Sequence, residues 1–473
     1  MPPQAAPVAE ARAAVADDRR PGLFGEPGFA DASGRASTDP LALLPAQPVI
    51  DLAALALMVS SPALELEFMP ASPWRGLTLR RARPPWPAED SDPGELHERF
   101  GDSVGRCMED AGTVAVFFSG GLDSLAVLLH ARAIAMRQGR RVVAVTVDLL
   151  DDNQVPVSSV ARGLIAALAP ECDLAVISPS PDGLPEPPWR PQGPYLRGLP
   201  RLNRAANEAA ARLGAGVMLN GNGGDELFMT RDYLALALAG ARRWHDLTGY
   251  LGDICRYYGP ARGLMRETLA VLAPLGGARR SFQLYTAVQT PALAVPGALG
   301  VISPQLRPAV ISFARSWLSS EASLAARSGP RPWCRTLARD MVWPLDPAPG
   351  YGPVPERSPF MDPGFARYAV GLPLAATYSA AYRVPYHRHK ALVAGLAGPG
   401  GAGHLPAGKQ QFGDAVRRYF AAVMAGRPLT GARHGLFSGT AAAQLAGDPR
   451  LAPVCHAIDV WLDGAITKGA TVG

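Results

Sequence analysis

The sequence predicts an α/β fold, a parallel sheet with helices between its strands, followed by a mostly α-helical C-terminal half. Three observations carry this. Short apolar runs at 114–116, 142–147, 174–177 and 218–219 alternate with helical stretches, the pattern of a parallel sheet. Two of these runs enter glycine-rich turns. Beyond about residue 230 the chain becomes rich in Ala, Leu and Arg, with no strand signal of comparable strength. In order, 96–112 reads as a helix leading into the strand at 114–116, and 125–131 as the helix after the first glycine turn. The strand at 142–147 precedes a helix at 158–168 and the strand at 174–177. Residues 179–200 are Pro-rich and read as a surface loop near a substrate mouth. A helix at 203–213 leads to the strand at 218–219. No internal repeat is visible.

The first turn is Phe117-Phe118-Ser119-Gly120-Gly121-Leu122-Asp123-Ser124. A strand, a glycine turn and a helix start aim backbone N–H groups and the positive end of the helix dipole at an anion. Gly120 and Gly121 let the backbone approach phosphate closely, and Ser119 and Ser124 offer hydroxyl donors. Asp123 would repel a bare phosphate, so the turn reads as a nucleotide site with Mg²⁺ between carboxylate and phosphate. The spacing is neither G-x-x-x-x-G-K-[ST] nor G-x-G-x-x-G. Ser-Gly-Gly-Leu-Asp-Ser instead resembles the PP-loop of the ATP pyrophosphatase superfamily, with its adenine nucleotide alpha hydrolase-like fold.

The second turn follows 216–219 and reads Asn220-Gly221-Asn222-Gly223-Gly224-Asp225-Glu226-Leu227-Phe228. Two strand-end turns, each with an Asp, suit one Mg²⁺–triphosphate held from both sides. Together the turns resemble the asparagine synthetase family, which carries Ser-Gly-Gly-x-Asp-Ser and then Gly-Asp-Gly-Gly-Asp-Glu-Leu-Phe. Asn222 replaces the first Asp of that pattern. The resemblance implies ATP and Mg²⁺ as cofactors. It places Ser119, Gly120, Gly121, Leu122, Asp123, Ser124, Val145, Gly221, Gly223 and Gly224 at ATP, and Asp123 and Asp225 at the metal.

Three later segments extend the resemblance. Glu356-Arg357-Ser358-Pro359-Phe360-Met361-Asp362 is similar to Glu-x-Arg-x-Pro-Phe-Leu-Asp, with the family's leading Glu falling on Pro355 and Glu356 one position along. Tyr386-His387-Arg388-His389-Lys390-Ala391-Leu392 loosely resembles a helix with Lys-x-x-Leu. Leu405 to Gly413 resembles the late Lys-x-x-Phe-Gly loop, which implies that Lys409 stabilises phosphate charge. The implied catalytic residues are Lys409, Glu356 and Arg357. Overall the resemblance spans about residues 46–430.

Full members of the family begin with a glutaminase domain whose nucleophile is a Cys after Met1. Here residue 2 is Pro and the first Cys is Cys107, with nothing beside it to activate a thiol. The expected layout is a flexible segment 1–45, a truncated glutaminase-like remnant 46–95, a synthetase domain 96–430 and a C-terminal helical tail 431–473. No glutamine hydrolysis is expected, so the amine belongs to the substrate, as in β-lactam synthetases and lasso-peptide macrolactam cyclases. The implied partners are a small-molecule or peptide carboxylate bearing an amine, with a precursor-peptide recognition protein and a protease. An ammonia-using asparagine synthetase and a non-catalytic leader-peptide-binding partner stand as alternatives.

Composition narrows the class. The net charge is +5 with scattered Arg, so no nucleic acid partner is indicated. No apolar window reaches bilayer length and no secretory signal opens the chain, so a cytoplasmic enzyme off the membrane is expected. Five cysteines without close pairs argue against a zinc site or a disulfide framework. His387 and His389 would point to different helix faces and read as solvated or substrate-facing.

Overall fold

The computed structural model describes residues 28–66, 68–80, 91–179, 184–196, 198–229, 234–272, 277, 280, 299–327, 350–397, 403–424, 428–445 and 448–473. At its centre lies a five-stranded parallel sheet: β1 (Thr113–Phe117), β2 (Arg141–Val147), β3 (Asp173–Ile177), β4 (Val217–Leu219) and β5 (Glu356–Arg357), in the order β3-β2-β1-β4-β5. The chain steps outward from β1 through β2 to β3, then returns to place β4 on the other side of β1. The reversal opens a crevice at the carboxyl ends of β1 and β4, where ligands bind in such sheets. Register fixes it, since Val116 pairs with Leu219 and both glycine turns leave the sheet at the same level.

Side chains alternate across the sheet. Val114, Val116, Val142, Ala144, Val217 and Leu219 enter one core with α1 (Leu96–Cys107), α2 (Leu122–Gln138) and α3 (Val157–Leu168). Ala115, Val145, Val147 and Met218 enter the other with α4 (Pro200–Arg212), α5 (Arg307–Arg327), α6 (Gly413–Met424) and α7 (Leu451–Thr467). In α1 the buried Leu96, Phe100, Val104 and Cys107 recur at helical spacing along one face.

The structure corrects the expected layout in three places. Of the segment 1–45 expected to be flexible, residues from Gly28 onward are ordered, while 1–27 lie outside the described residues. Gly28–Ala30 pairs with Ala36–Ser37 and Thr78–Arg80, and Phe29 is fully buried. The expected tail 431–473 is helical but central, because α7 is apolar on nearly every side and buries Cys455, Ile458, Trp461 and Leu462. Its end folds back, so Thr471–Val472 pairs in parallel with Val49–Ile50. The Pro-rich stretch is irregular but not simply superficial: Leu184 and Tyr195 are buried, and Trp189 stacks on Trp461. Among the described residues no helix is long and apolar enough to cross a membrane.

Candidate active site

The loop after β1 arrives preformed. Gly120 has φ +74°, which a β-carbon would resist, and one placed there would sit 3.2 Å from Val160. Ser119 and Ser124 hydroxyls lie 3.1 Å apart, and Ser124 donates to the Gly121 carbonyl at 3.1 Å. Gly121 caps α2 without a side-chain hydrogen bond. The first-turn N–H groups of a 17-residue helix therefore face the crevice. The second turn closes onto the first. A β-carbon at Gly221 would meet Ser124 N at 2.9 Å, and one at Gly224 would collide with the Asp123 carboxylate. Only glycine permits the two turns to pack this closely.

Four charged groups converge where the turns meet. Lys390 is 2 % exposed and its ammonium bridges Asp123 and Asp225. Lys409, 55 % exposed, reaches Asp225 at 2.6 Å. Burial, reinforced by the Asp225 carboxylate, pushes Asp123 up to about 6 against the pull of Lys390. Burial acts on Asp225 too, but the ammonium groups of Lys390 and Lys409 outweigh it and hold it at about 2. Burial alone would lower Lys390, yet the two carboxylates keep its ammonium above the usual lysine range. The site is thus two acidic turns neutralised by two lysines, beside an open helix N-terminus. That is the charge inventory for a polyphosphate with a divalent cation: carboxylates for the cation, ammonium groups and N–H donors for the phosphates.

The family model for asparagine synthase matches residues 95–392. The chain belongs to the asparagine synthase family. It is accordingly an ATP-dependent ligase that forms amide bonds. The matched span includes both glycine turns and Lys390; Lys409 lies beyond it. Among curated proteins none matches the chain closely enough to name a nearer relative.

Asparagine synthases use ATP, usually with Mg²⁺, and the residues here fit that ion. Asp123 Oδ1 is buried without a hydrogen-bond partner, and Asp225 Oδ1 meets only the Lys390 ammonium. Two hard carboxylates on facing turns are what Mg²⁺ takes when phosphates supply further oxygens. Among the described residues no cluster of three or more His, Cys, Asp or Glu could hold a metal by itself.

Other residues expected at the asparagine synthase site fall elsewhere. The Val145 side chain is fully buried in the core, and its carbonyl accepts from Phe118 N–H at 2.8 Å. Leu122 is buried and presents only backbone to the turn. Asn222 is exposed, and its carbonyl accepts from the Ser358 hydroxyl. Arg357 donates to the carbonyls of Arg106 and Cys107 at 3.4 and 3.2 Å, satisfying the end of α1. Glu356 points to the other face of the sheet and accepts from Asn207 Nδ2 at 3.0 Å. His387 is 5 % exposed, not solvated; its Nε2 donates to the Pro406 carbonyl at 2.8 Å, tying the Lys390 segment to the Lys409 loop. Lys390 was legible only as a loose Lys-x-x-Leu match. Nothing in its spacing signals a partner as remote along the chain as Asp123.

Burial pushes Glu356 up to about 7. A carboxyl raised above its unfolded value near 4.5 leaves stability intact below pH 4.5 and removes it as pH rises through 7. Glu356→Gln keeps the acceptor for Asn207 without the charge. It should raise stability at pH 8 by up to about 3 kcal/mol and leave pH 4 nearly unchanged. Urea midpoints of both proteins at the two pH values check this; equal gains at both would show that Glu356 is not held protonated.

Proposed function

We propose that the chain adenylates a carboxylate and couples it to an amine carried by the substrate, closing a macrolactam as lasso-type peptide cyclases do. A β-lactam-type closure follows the same chemistry on a smaller substrate. The observation that carries the adenylating step is the convergence of Lys390 and Lys409 on Asp123 and Asp225 beside the start of α2. In the first step a substrate carboxylate oxygen attacks the α-phosphorus of ATP, and pyrophosphate leaves. Mg²⁺ held by Asp123 and Asp225 would neutralise charge on the departing pyrophosphate. Lys390 and Lys409 exchange their carboxylate partners for phosphate oxygens and stabilise the same charge from the protein side. The amine then attacks the acyl carbon, loses its proton, and AMP departs.

Three of the described cysteines fit an amine that does not come from glutamine. Burial pushes the Cys107 thiol up to about 12 and raises Cys172 and Cys455 as well. Thiols so placed do not form the thiolate that glutamine hydrolysis needs.

The test is product analysis with ATP, Mg²⁺ and linear peptides bearing a free N-terminus and an internal Asp or Glu. The expected products are AMP, pyrophosphate and a peptide lighter by one water, with no glutamate released from added glutamine. ADP and inorganic phosphate would overturn the adenylating reading. AMP release without dehydration of any peptide would overturn the macrolactam reading alone.

A further inference from the structure

A second cavity, of about 340 Å³, lies between the 184–196 segment, the start of α4, and helices α6 and α7. It shares no lining residue with the two glycine turns, and its size is at the small end of ligand pockets. Its walls are aromatic: Trp189, Tyr195, Tyr419, Phe420 and Trp461. Most of their polar edges are already engaged. Trp189 Nε1 donates to the Trp461 carbonyl at 3.1 Å, and Trp461 Nε1 to the Arg190 carbonyl at 2.8 Å. Tyr195 Oη donates to the Pro188 carbonyl at 2.9 Å. The rings are therefore fixed, and together they wall the cavity.

The charged wall groups are engaged too. Arg190 donates to the carbonyls of Gly193 and Pro194 and lies 4.4 Å over the Tyr195 ring. Arg201 pairs with Glu186 at 3.2 Å and donates to the Leu184 carbonyl at 2.6 Å. This disfavours a charged guest. One polar group stands apart: the Tyr419 hydroxyl, on a side chain more than nine-tenths buried, takes a hydrogen bond from Arg201 and meets no acceptor for its own proton among the described residues. It can donate to a carbonyl oxygen. The complement of these walls is a planar apolar ring beside an amide.

We propose that this cavity binds an aromatic side chain of the substrate, with the adjoining amide carbonyl on Tyr419. The proposal rests on the amide-forming reading above. Two walls run directly into the candidate active site. Helix α6, which bears Tyr419 and Phe420, begins just after the Lys409 loop. Tyr195 stacks on Tyr351 at 5.0 Å, and Tyr351 leads into β5 and Glu356. A residue anchored in the cavity would be tethered between the two segments that flank the reaction. The cavity is thus a specificity pocket.

The experiment is calorimetric titration of the full chain, without ATP, with N-acetyl-L-phenylalaninamide and N-acetyl-L-alaninamide. The expected result is saturable one-site binding of the first and none of the second. Ala457→Phe places a ring in the cavity and should abolish binding. Tyr419→Phe removes only the hydroxyl and should weaken it about fivefold. No saturable binding to the unaltered chain would overturn the proposal, as it would if the chain's own residues fill the space. Unchanged binding in both variants would also overturn it. Because no ATP is present, the outcome is independent of whether AMP and pyrophosphate are released.

Discussion

Lys390→Met should abolish turnover and destabilise the fold, whereas Lys409→Met should abolish turnover alone. Both ammonium groups stand on the same carboxylate, but their surroundings differ. Lys390 is 2 % exposed and shared by Asp123 and Asp225. Removing it leaves two facing carboxylates without their main counter-charge, and breaking a buried pair in this way costs about 3–5 kcal/mol. Lys409 is 55 % exposed, and an exposed partner contributes little to folding. For catalysis the two are comparable, because each faces the place where charge develops on the leaving pyrophosphate. Loss of one such group lowers kcat on the order of 10²–10³-fold. Lys409→Arg should rescue little, since a planar guanidinium does not replace a compact ammonium. Thermal melts beside AMP-release assays separate the two lysines. Added Mg²⁺ should partly restore the melting temperature of Lys390→Met, as it supplies the missing positive charge between the carboxylates. Equal melting temperatures for both variants would show that Lys390 is not the ion that holds the turns together.

How much of this was legible depends on the range of the interactions. Four sheet strands could be read because each is an unbroken apolar run bounded by turn residues. The two glycine turns could be read because the backbone there needs glycine for a local reason that sequence records. β5 could not: it is two charged residues, Glu356 and Arg357, recruited to the sheet edge by pairing with Met218 and Leu219. Their charge suggested catalysis, while the sheet register sends them to opposite faces and commits Arg357 to the end of α1. Lys390 precedes an apolar helical stretch and looks like any lysine until the fold brings Asp123 and Asp225 to it. The aromatic cavity is built from segments 186–195, 199–201, 419–420 and 456–464, so no single window of sequence contains it.

Asp123→Asn and Asp225→Asn should each lower kcat by on the order of 10²-fold or more, with a smaller rise in KM for ATP. Each change removes a cation ligand whose value grows as pyrophosphate leaves, while the N–H groups at the start of α2 continue to bind phosphate. Folding should suffer less than in Lys390→Met. With either carboxylate neutralised, Lys390 keeps the other as a partner, and neutral Asn relieves the burial that pushes Asp123 up to about 6. The two variants should differ in their effect on Lys409. Asp225 is its partner at 2.6 Å, so Asp225→Asn should free the Lys409 loop to proteolysis and Asp123→Asn should not. Gly224→Ala supplies an independent check that alters no charge. Its added methyl would land on the Asp123 carboxylate, so it should reproduce the activity loss of Asp123→Asn through displacement alone. Steady-state kinetics with varied ATP and Mg²⁺ on the three variants decide the matter. Near-normal kcat in Asp123→Asn together with a large loss in Gly224→Ala would mean that the turn's shape, and not its carboxylate, carries the reaction.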